Sequence, residues 1–376
     1  MAEPRKIVLV LGNGFDLDLG LKTSYKDFWE TDYCPKGYPA PLIRHLNQRW
    51  PDNLDAVRWY DLENELLNYY YLRRSTTDYP DVVSPELLEY IRSFDSYEYT
   101  CSSFSGTDER MKTLVKLGYA QFGQAECWAV IPLQDDFRQP AEWRDHKALR
   151  LIKEGLCNYL RSIENKRPTS DSMASYLLLA VTESAEVGDS ISIYSFNYTH
   201  LQLPINYLDN ISVQYVHGCC DDNRIIVGTR DDLNMGVNYD FLQKVMDPAF
   251  NPPSLLPALL NADEVIIFGH SLGENDQQYF APFFRKQVDF DNPVRKDITF
   301  FTRNHESQNE IKRSLQKMTR GNLSALYSIN QPVIIKTANI EEDQRFLYSF
   351  LVNHHVNERF AKEVVGKLIM QNKSKA

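Results

Sequence analysis

Four short polar clusters hold the side chains of this chain best suited to chemistry. They are Gly12-Asn13-Gly14-Phe15-Asp16, Ser195-Phe196-Asn197-Tyr198, His217-Gly218, and Gly269-His270-Ser271 with Asp276 just beyond it. An imidazole such as His217 titrates near neutrality and can act as a base. Its neighbour Gly218 leaves one side of the ring unshielded. Asn197 can donate and accept at once, which suits holding a ribose hydroxyl or a water; the plain alternative is an Asx-turn that satisfies its own backbone. Asp276 offers an acceptor for a ribose hydroxyl, or caps the helix that starts at Gln277. Gly12-Asn13-Gly14 allows backbone conformations closed to other residues. At the mouth of a helix, such a loop presents N–H groups to an anion. It therefore reads either as a phosphate cradle or as a tight turn without a ligand. The third glycine of the dinucleotide fingerprint is not at its usual spacing.

Gly269-His-Ser-Leu-Gly273 also matches Gly-x-Ser-x-Gly, the nucleophile elbow of serine hydrolases. In that rival reading Ser271 is the nucleophile, with Asp297 as a later acid and His305 or His354 as a later base. Two features oppose it. The helix after an elbow is normally buried, yet this one begins Glu274-Asn-Asp-Gln-Gln278, and His217-Gly218 runs into Cys219-Cys220 rather than into an oxyanion loop.

Stepping along the chain, each cluster follows an apolar run of strand length. Lys6–Leu11, Ile191–Ser195, Ile211–Val216 and Glu264–Phe268 precede them, and Arg224–Val227, Asp297–Phe301 and Gln331–Lys336 read as further strands. Helical patterns fall at Leu54–Tyr71, opened by Trp59-Tyr-Asp-Leu-Glu63, and at Lys147–Ile163, Ser172–Glu183, Gln308–Lys317 and Glu341–Lys367. Asp61 and Glu63 read most simply as a solvated helix face or as partners of its N-terminal dipole. Short apolar strands alternating with helices predict an α/β fold, a Rossmann-like parallel sheet with a large, mainly helical insertion after the first strand. Residues 1–30 and 189–340 then form a discontinuous nucleotide-binding core, 31–188 the insertion, and 341–376 a C-terminal helical segment. In an open parallel sheet the ligand crevice lies outside the carboxyl ends of the strands, so four clusters at four strand ends can converge on one nucleotide-sized ligand.

Composition narrows the class. The 376 residues are 43% hydrophobic and carry a net charge of −10, which argues against coating nucleic acid. The six cysteines form no Cys-x-x-Cys pair and adjacent Cys219-Cys220 makes a poor metal clip, so reduced thiols, no bound metal and a cytoplasmic location are expected. No apolar run is long enough for a membrane span.

Leu11-Gly-Asn-Gly-Phe-Asp-Leu17 with Gly20-Leu-Lys-Thr23-Ser24-Tyr25 resembles the opening signature of the AbiH family of bacterial abortive-infection proteins. Ser195-Phe-Asn-Tyr-Thr199, Val216-His-Gly218 and Ile267-Phe-Gly-His-Ser-Leu272 with Asp276 resemble its later blocks, in the same order. At one remove, these blocks are similar to sirtuin-like NAD-consuming domains, with Gly12-Asn-Gly14, Asn197 and His217-Gly218 at the matching positions. Asn13, Phe15 and Asp16 depart from that pattern, and the sirtuin zinc module has no counterpart.

The resemblance implies an anti-phage protein that binds and hydrolyses NAD at the nicotinamide–ribose bond. Asn197 and His217 would be catalytic, and Asp16 or Asp276 would stabilise the oxocarbenium-like charge. Gly12, Asn13, Gly14, Phe15, Asp16, Thr23, Ser24, Tyr25, Ser195, Phe196, Tyr198, Gly269, His270, Ser271 and Asp276 would line the nucleotide. The alternative of another class is a nucleotide-binding switch without catalysis that acts on a partner. Expected partners are the nucleotide, a phage-derived trigger, a partner protein or a second copy of the chain.

Overall fold

The computed structural model describes residues 3–50, 61–75, 99–101, 120–122, 127–130, 141–164, 171–203 and 209–375. In chain order these form β1 (Lys6–Leu11), α1 (Asn13–Asp18), α2 (Tyr25–Trp29), α3 (Pro41–Arg49) and α4 (Leu62–Ser75). Then come β2 (Tyr99–Cys101), β3 (Ala120–Phe122), β4 (Cys127–Val130), α5 (Ala141–Glu164), α6 (Met173–Glu186), β5 (Ser190–Ser195) and β6 (Ile211–Tyr215). The last part holds α7 (Leu255–Asn261), β7 (Glu264–Phe268), α8 (Gln277–Lys286), β8 (Asp297–Thr302), α9 (His305–Met318), α10 (Leu323–Asn330), β9 (Val333–Lys336), α11 (Ile340–Asn353) and α12 (Glu358–Lys375).

The chain divides into two compact units. The first comprises Met1–Phe28, Leu156–Ile226 and Asp247–Ala376; the second comprises Trp29–Gly155 and Val227–Met246. The first holds a six-stranded sheet in the order β6-β5-β1-β7-β8-β9. All of its pairings are parallel. The fold is thus α/β and Rossmann-like, and its strand order reverses direction between β1 and β7.

The sequence of β1 explains why it sits at the centre. Its apolar side chains alternate between two layers. Ile7, Leu9 and Leu11 join the core formed with α6, α11 and α12, while Val8 and Val10 join the one formed with α7, α8 and α9. A strand buried on both faces needs a continuous apolar run, and each such side chain contributes roughly 1.5–3 kcal/mol on burial. Local caps fix two of the covering helices: Ser175 N–H bonds Ser172 Oγ at the start of α6, and Ser307 N–H bonds Asn304 Oδ1 at the start of α9.

Three details differ from the sequence expectation. Arg224–Val227 is not a strand; its backbone instead closes a loop, with the Ile226 N–H donating to the His217 carbonyl at 2.8 Å. The C-terminal segment is two helices, α11 and α12, rather than one continuous region. The second unit carries an antiparallel sheet, β2-β4-β3, whose three- and four-residue strands are too short to leave a period in the sequence. Trp59 and the predicted helical start at Leu54 lie outside the described residues. Further along that helix, Asp61 Oδ1 accepts from the Asn64 N–H and so caps α4, while Glu63 pairs at 3.0 Å with Lys244, a fully buried cation of the same unit.

Candidate functional site

The loops at the carboxyl ends of β6, β5, β1 and β7 meet within the first unit. Their centre is the carboxylate of Asp276. Its Oδ1 lies 2.9 Å from His217 Nε2 and its Oδ2 lies 3.4 Å from His270 Nε2. A carboxylate only accepts, so both Nε2 atoms carry protons toward it. The Leu272 N–H donates to His270 Nδ1 at 3.0 Å, which fixes the same tautomer independently. In the neutral imidazole of His217 the basic lone pair is then on Nδ1. Asp276 makes no side-chain cap to α8, so its carboxylate serves the histidines instead.

Aromatic rings wall this group. Phe196 lies edge-on to His217 at 5.2 Å and to His270 at 4.4 Å, and it stacks on Phe280 at 5.5 Å. Tyr279 lies 5.9 Å from His217. His217 is 3% exposed and His270 6%. Such an apolar wall strengthens the carboxylate–imidazole interaction by excluding water. The wall residues Tyr279 and Phe280 escaped the sequence analysis. Their signal was their place three and four residues after Asp276, on the face of α8 that shares its direction.

Gly218 makes the His217 loop feasible. Its φ is +75°, and a Cβ there would stand 1.6 Å from the Arg224 carbonyl oxygen. No side chain fits such a contact. The loop is pinned further by the Tyr198 hydroxyl, which donates to the Ile226 carbonyl at 3.1 Å.

The glycines of the first loop have a role the sequence left open. Gly12 and Gly14 pack directly on Gly269 and His270. A Cβ at Gly12 would lie 2.6 Å from the His270 Cα, and one at Gly14 would lie 2.6 Å from the Gly269 Cα. Gly269 itself has φ +66°, and a Cβ there would approach the Phe15 nitrogen to 2.4 Å. The Gly12 N–H bonds the Phe268 carbonyl, the Gly14 N–H bonds the Gly269 carbonyl and the Phe15 N–H bonds the Gly12 carbonyl, each at 2.9 Å. The glycines therefore serve loop-to-loop contact, and these three N–H groups are engaged within the protein.

The remaining predicted residues fall into separate contacts. Asn13 Oδ1 accepts from Thr23 Oγ1 at 2.6 Å. Phe15 is 1% exposed, edge-on to Phe268, and belongs to the core. Asp16 is buried and accepts from Thr199 Oγ1 at 2.5 Å. Ser24 and Asp27 bond reciprocally as a capping box at the start of α2, where Tyr25 is the first residue. Ser195 Oγ accepts from the Asn197 N–H at 3.2 Å, and Asn197 is buried.

The triad of the serine-hydrolase reading does not assemble. Ser271 is exposed and the left-handed residue of its turn is Leu272, at φ +54°. Asp297 opens β8 beside Glu264, the first residue of β7, at the amino edge of the sheet. His354 contacts Glu264 at that same edge, and His305 pairs with Glu342. A strand of five or six residues puts roughly 16–20 Å between the two edges.

The Rossmann-like sheet with a carboxylate–histidine group where four strand-end loops meet defines the class as an α/β protein of Rossmann-like topology. The chain belongs to the AbiH family of bacteriophage abortive infection, whose sequence model matches residues 8–292. No curated protein matches the chain, and no solved structure does. Among the described residues no helix is long and apolar enough to cross a membrane.

Proposed function

We propose that this AbiH protein acts in phage defence by binding NAD, or a close nucleotide relative, at the carboxyl edge of the sheet and hydrolysing its nicotinamide–ribose bond. The observation that carries the reading is the bridging of His217 and His270 by Asp276 at the strand ends where an open parallel sheet receives its ligand. His217 takes a proton from the attacking water or from a ribose hydroxyl. Asp276 holds the ring and stabilises the imidazolium that results. Asn197 positions the water. The water oxygen bonds the ribose carbon, the electrons of the broken bond pass to the nicotinamide nitrogen, and ADP-ribose, nicotinamide and one proton are released. With three N–H groups of the first loop engaged internally, the diphosphate is held mainly by side chains near Asn13 and Thr23. A phage-derived trigger or partner protein would switch the activity on.

Chromatography of nicotinamide and ADP-ribose after incubation with NAD tests this. Release in the wild type, lost in His217→Ala and Asn197→Ala, is the expected result; full release in both variants overturns it. NAD bound intact, with no nicotinamide formed even beside phage lysate, would instead favour the non-catalytic switch.

A further inference from the structure

Two to four residues after His217 the chain brings unlike metal-ligating groups together. His200, Cys219 and Asp221 each offer one ligand atom, and these atoms all lie within 4.8 Å of one another. Glu164, Cys220 and Asp221 form a second such group that shares Asp221. Spacing in the sequence hid this, because the ligands come from the end of α5, the loop after β5 and the loop after β6.

We infer that His200, Cys219 and Asp221 bind one divalent cation of the zinc class, with water completing its coordination. The donor set selects the metal. A thiolate and an imidazole favour zinc over the hard cations magnesium and calcium, and a carboxylate is an accepted third ligand. Tetrahedral zinc places its ligand atoms roughly 3.3–3.8 Å apart, given its bond lengths. His200 Nδ1 and Asp221 Oδ2 already stand 3.2 Å apart. His200 and Asp221 are exposed and can close on the ion, while Cys219 is buried and anchored.

The surroundings hold the loop in shape beforehand. Glu164 Oε1 accepts the His200 N–H at 2.7 Å. Arg161 donates to the carbonyls of Cys220 and Asp221 and to Asn223 Oδ1. Its cation is directed at the carbonyl side of the turn, while the three ligands carry two negative charges once the thiol has ionised. A bound ion would cross-link the loops after β5 and β6, the two that carry Asn197 and His217.

The test is titration of the reduced, metal-free full chain with Co²⁺ as a zinc surrogate, read by the thiolate-to-cobalt charge-transfer absorption. One equivalent should bind, with the band displaced by Zn²⁺ and retained in a Cys34→Ser control. Cys219→Ser should abolish the band, and His200→Ala and Asp221→Ala should each weaken binding on the order of tenfold or more. Cys219 is buried and its variant risks misfolding, so the two exposed positions decide. Absence of the band in the wild type, or unchanged affinity in both His200→Ala and Asp221→Ala, overturns the assignment.

Discussion

The two edges of the parallel sheet use the same residue types to opposite ends. At the carboxyl edge, Asp276 faces His217 and His270 against aromatic rings. At the amino edge, Glu264 lies 3.2 Å from both Arg5 and His354, and Asp189 takes the Arg5 guanidinium at 2.7 Å. There the arginine compensates two carboxylates, and His354 Nδ1 meets the Phe350 carbonyl at 2.7 Å. The amino edge also borders a groove of about 900 Å³ lined by Arg5, Asp189, Glu264, Arg295 and His354. Space and chemistry are thus separated. The groove has volume, but its carboxylates Asp189 and Glu264 are committed to ion pairs that tie β1, β5 and β7 together. The opposite edge is closely packed, and its histidines are held by one shared carboxylate. The groove and the carboxylate–histidine group thus lie at opposite edges of one sheet.

The sharpest way to break this comparison is to remove one carboxylate at each edge. Asp276→Asn should lower nicotinamide release on the order of 10²–10⁴-fold, a far larger effect than the loss of stability that accompanies it. Glu264→Gln should do the reverse, with turnover kept and stability lost. Equal effects on turnover would erase the distinction. Gly218→Ala comes next. Its left-handed backbone and the 1.6 Å approach to Arg224 should cost about 3–4 kcal/mol, read as a fall in the urea midpoint.

A third carboxylate, in the second unit, extends the contrast to a site without a base at bonding distance. Asp145 accepts from the Leu42 N–H at 2.9 Å and from the Tyr69 hydroxyl, and burial pushes its pKa up to about 7. The folded state then holds a proton that the unfolded chain releases near pH 4. Stability should therefore fall as pH rises from about 4 to about 7, and level off above. Urea unfolding of Asp145→Asn, followed across that range, should lack this slope.

The smallest effect belongs to Asp189. Burial alone would raise its carboxyl, but the bonds from the Arg5 backbone and guanidinium outweigh burial and hold it below its usual value. That stabilisation is present above the ordinary carboxylate pKa near 4 and is lost as pH falls through the lowered folded value. Arg5→Ala should cost about 1–3 kcal/mol at pH 7 and flatten the acid limb of the stability curve.

Much of the sheet was legible because a strand buried on both faces must be written as an apolar run, as in Lys6–Leu11 and Glu264–Phe268. The strand-end position of His217 was legible from the apolar run Ile211–Val216 before it, although β6 is a half-exposed edge strand. Its partnership with Asp276 was not, because the two are 59 residues apart and meet only once β6 and β7 take their places in the sheet. The run at Arg224–Val227 is apolar because it lies against the His217 loop, and burial without a ladder leaves the same trace as a strand. Gly12 and Gly14 were readable as places that exclude a side chain. What they exclude it for, the facing Gly269 backbone, belongs to another strand. Glu63 reads most simply as a solvated helix face or a dipole partner, yet it pairs with the buried Lys244, which lies far away in the sequence.

The backbone contact of Gly12 and Gly14 with Gly269 limits how this protein can diversify. Because main chain presses on main chain there, no side chain can be added at these positions without parting β1 from β7. Any change of surface at this edge of the sheet must therefore come from neighbouring side chains such as Asn13 and Thr23, whose contacts leave the backbone in place.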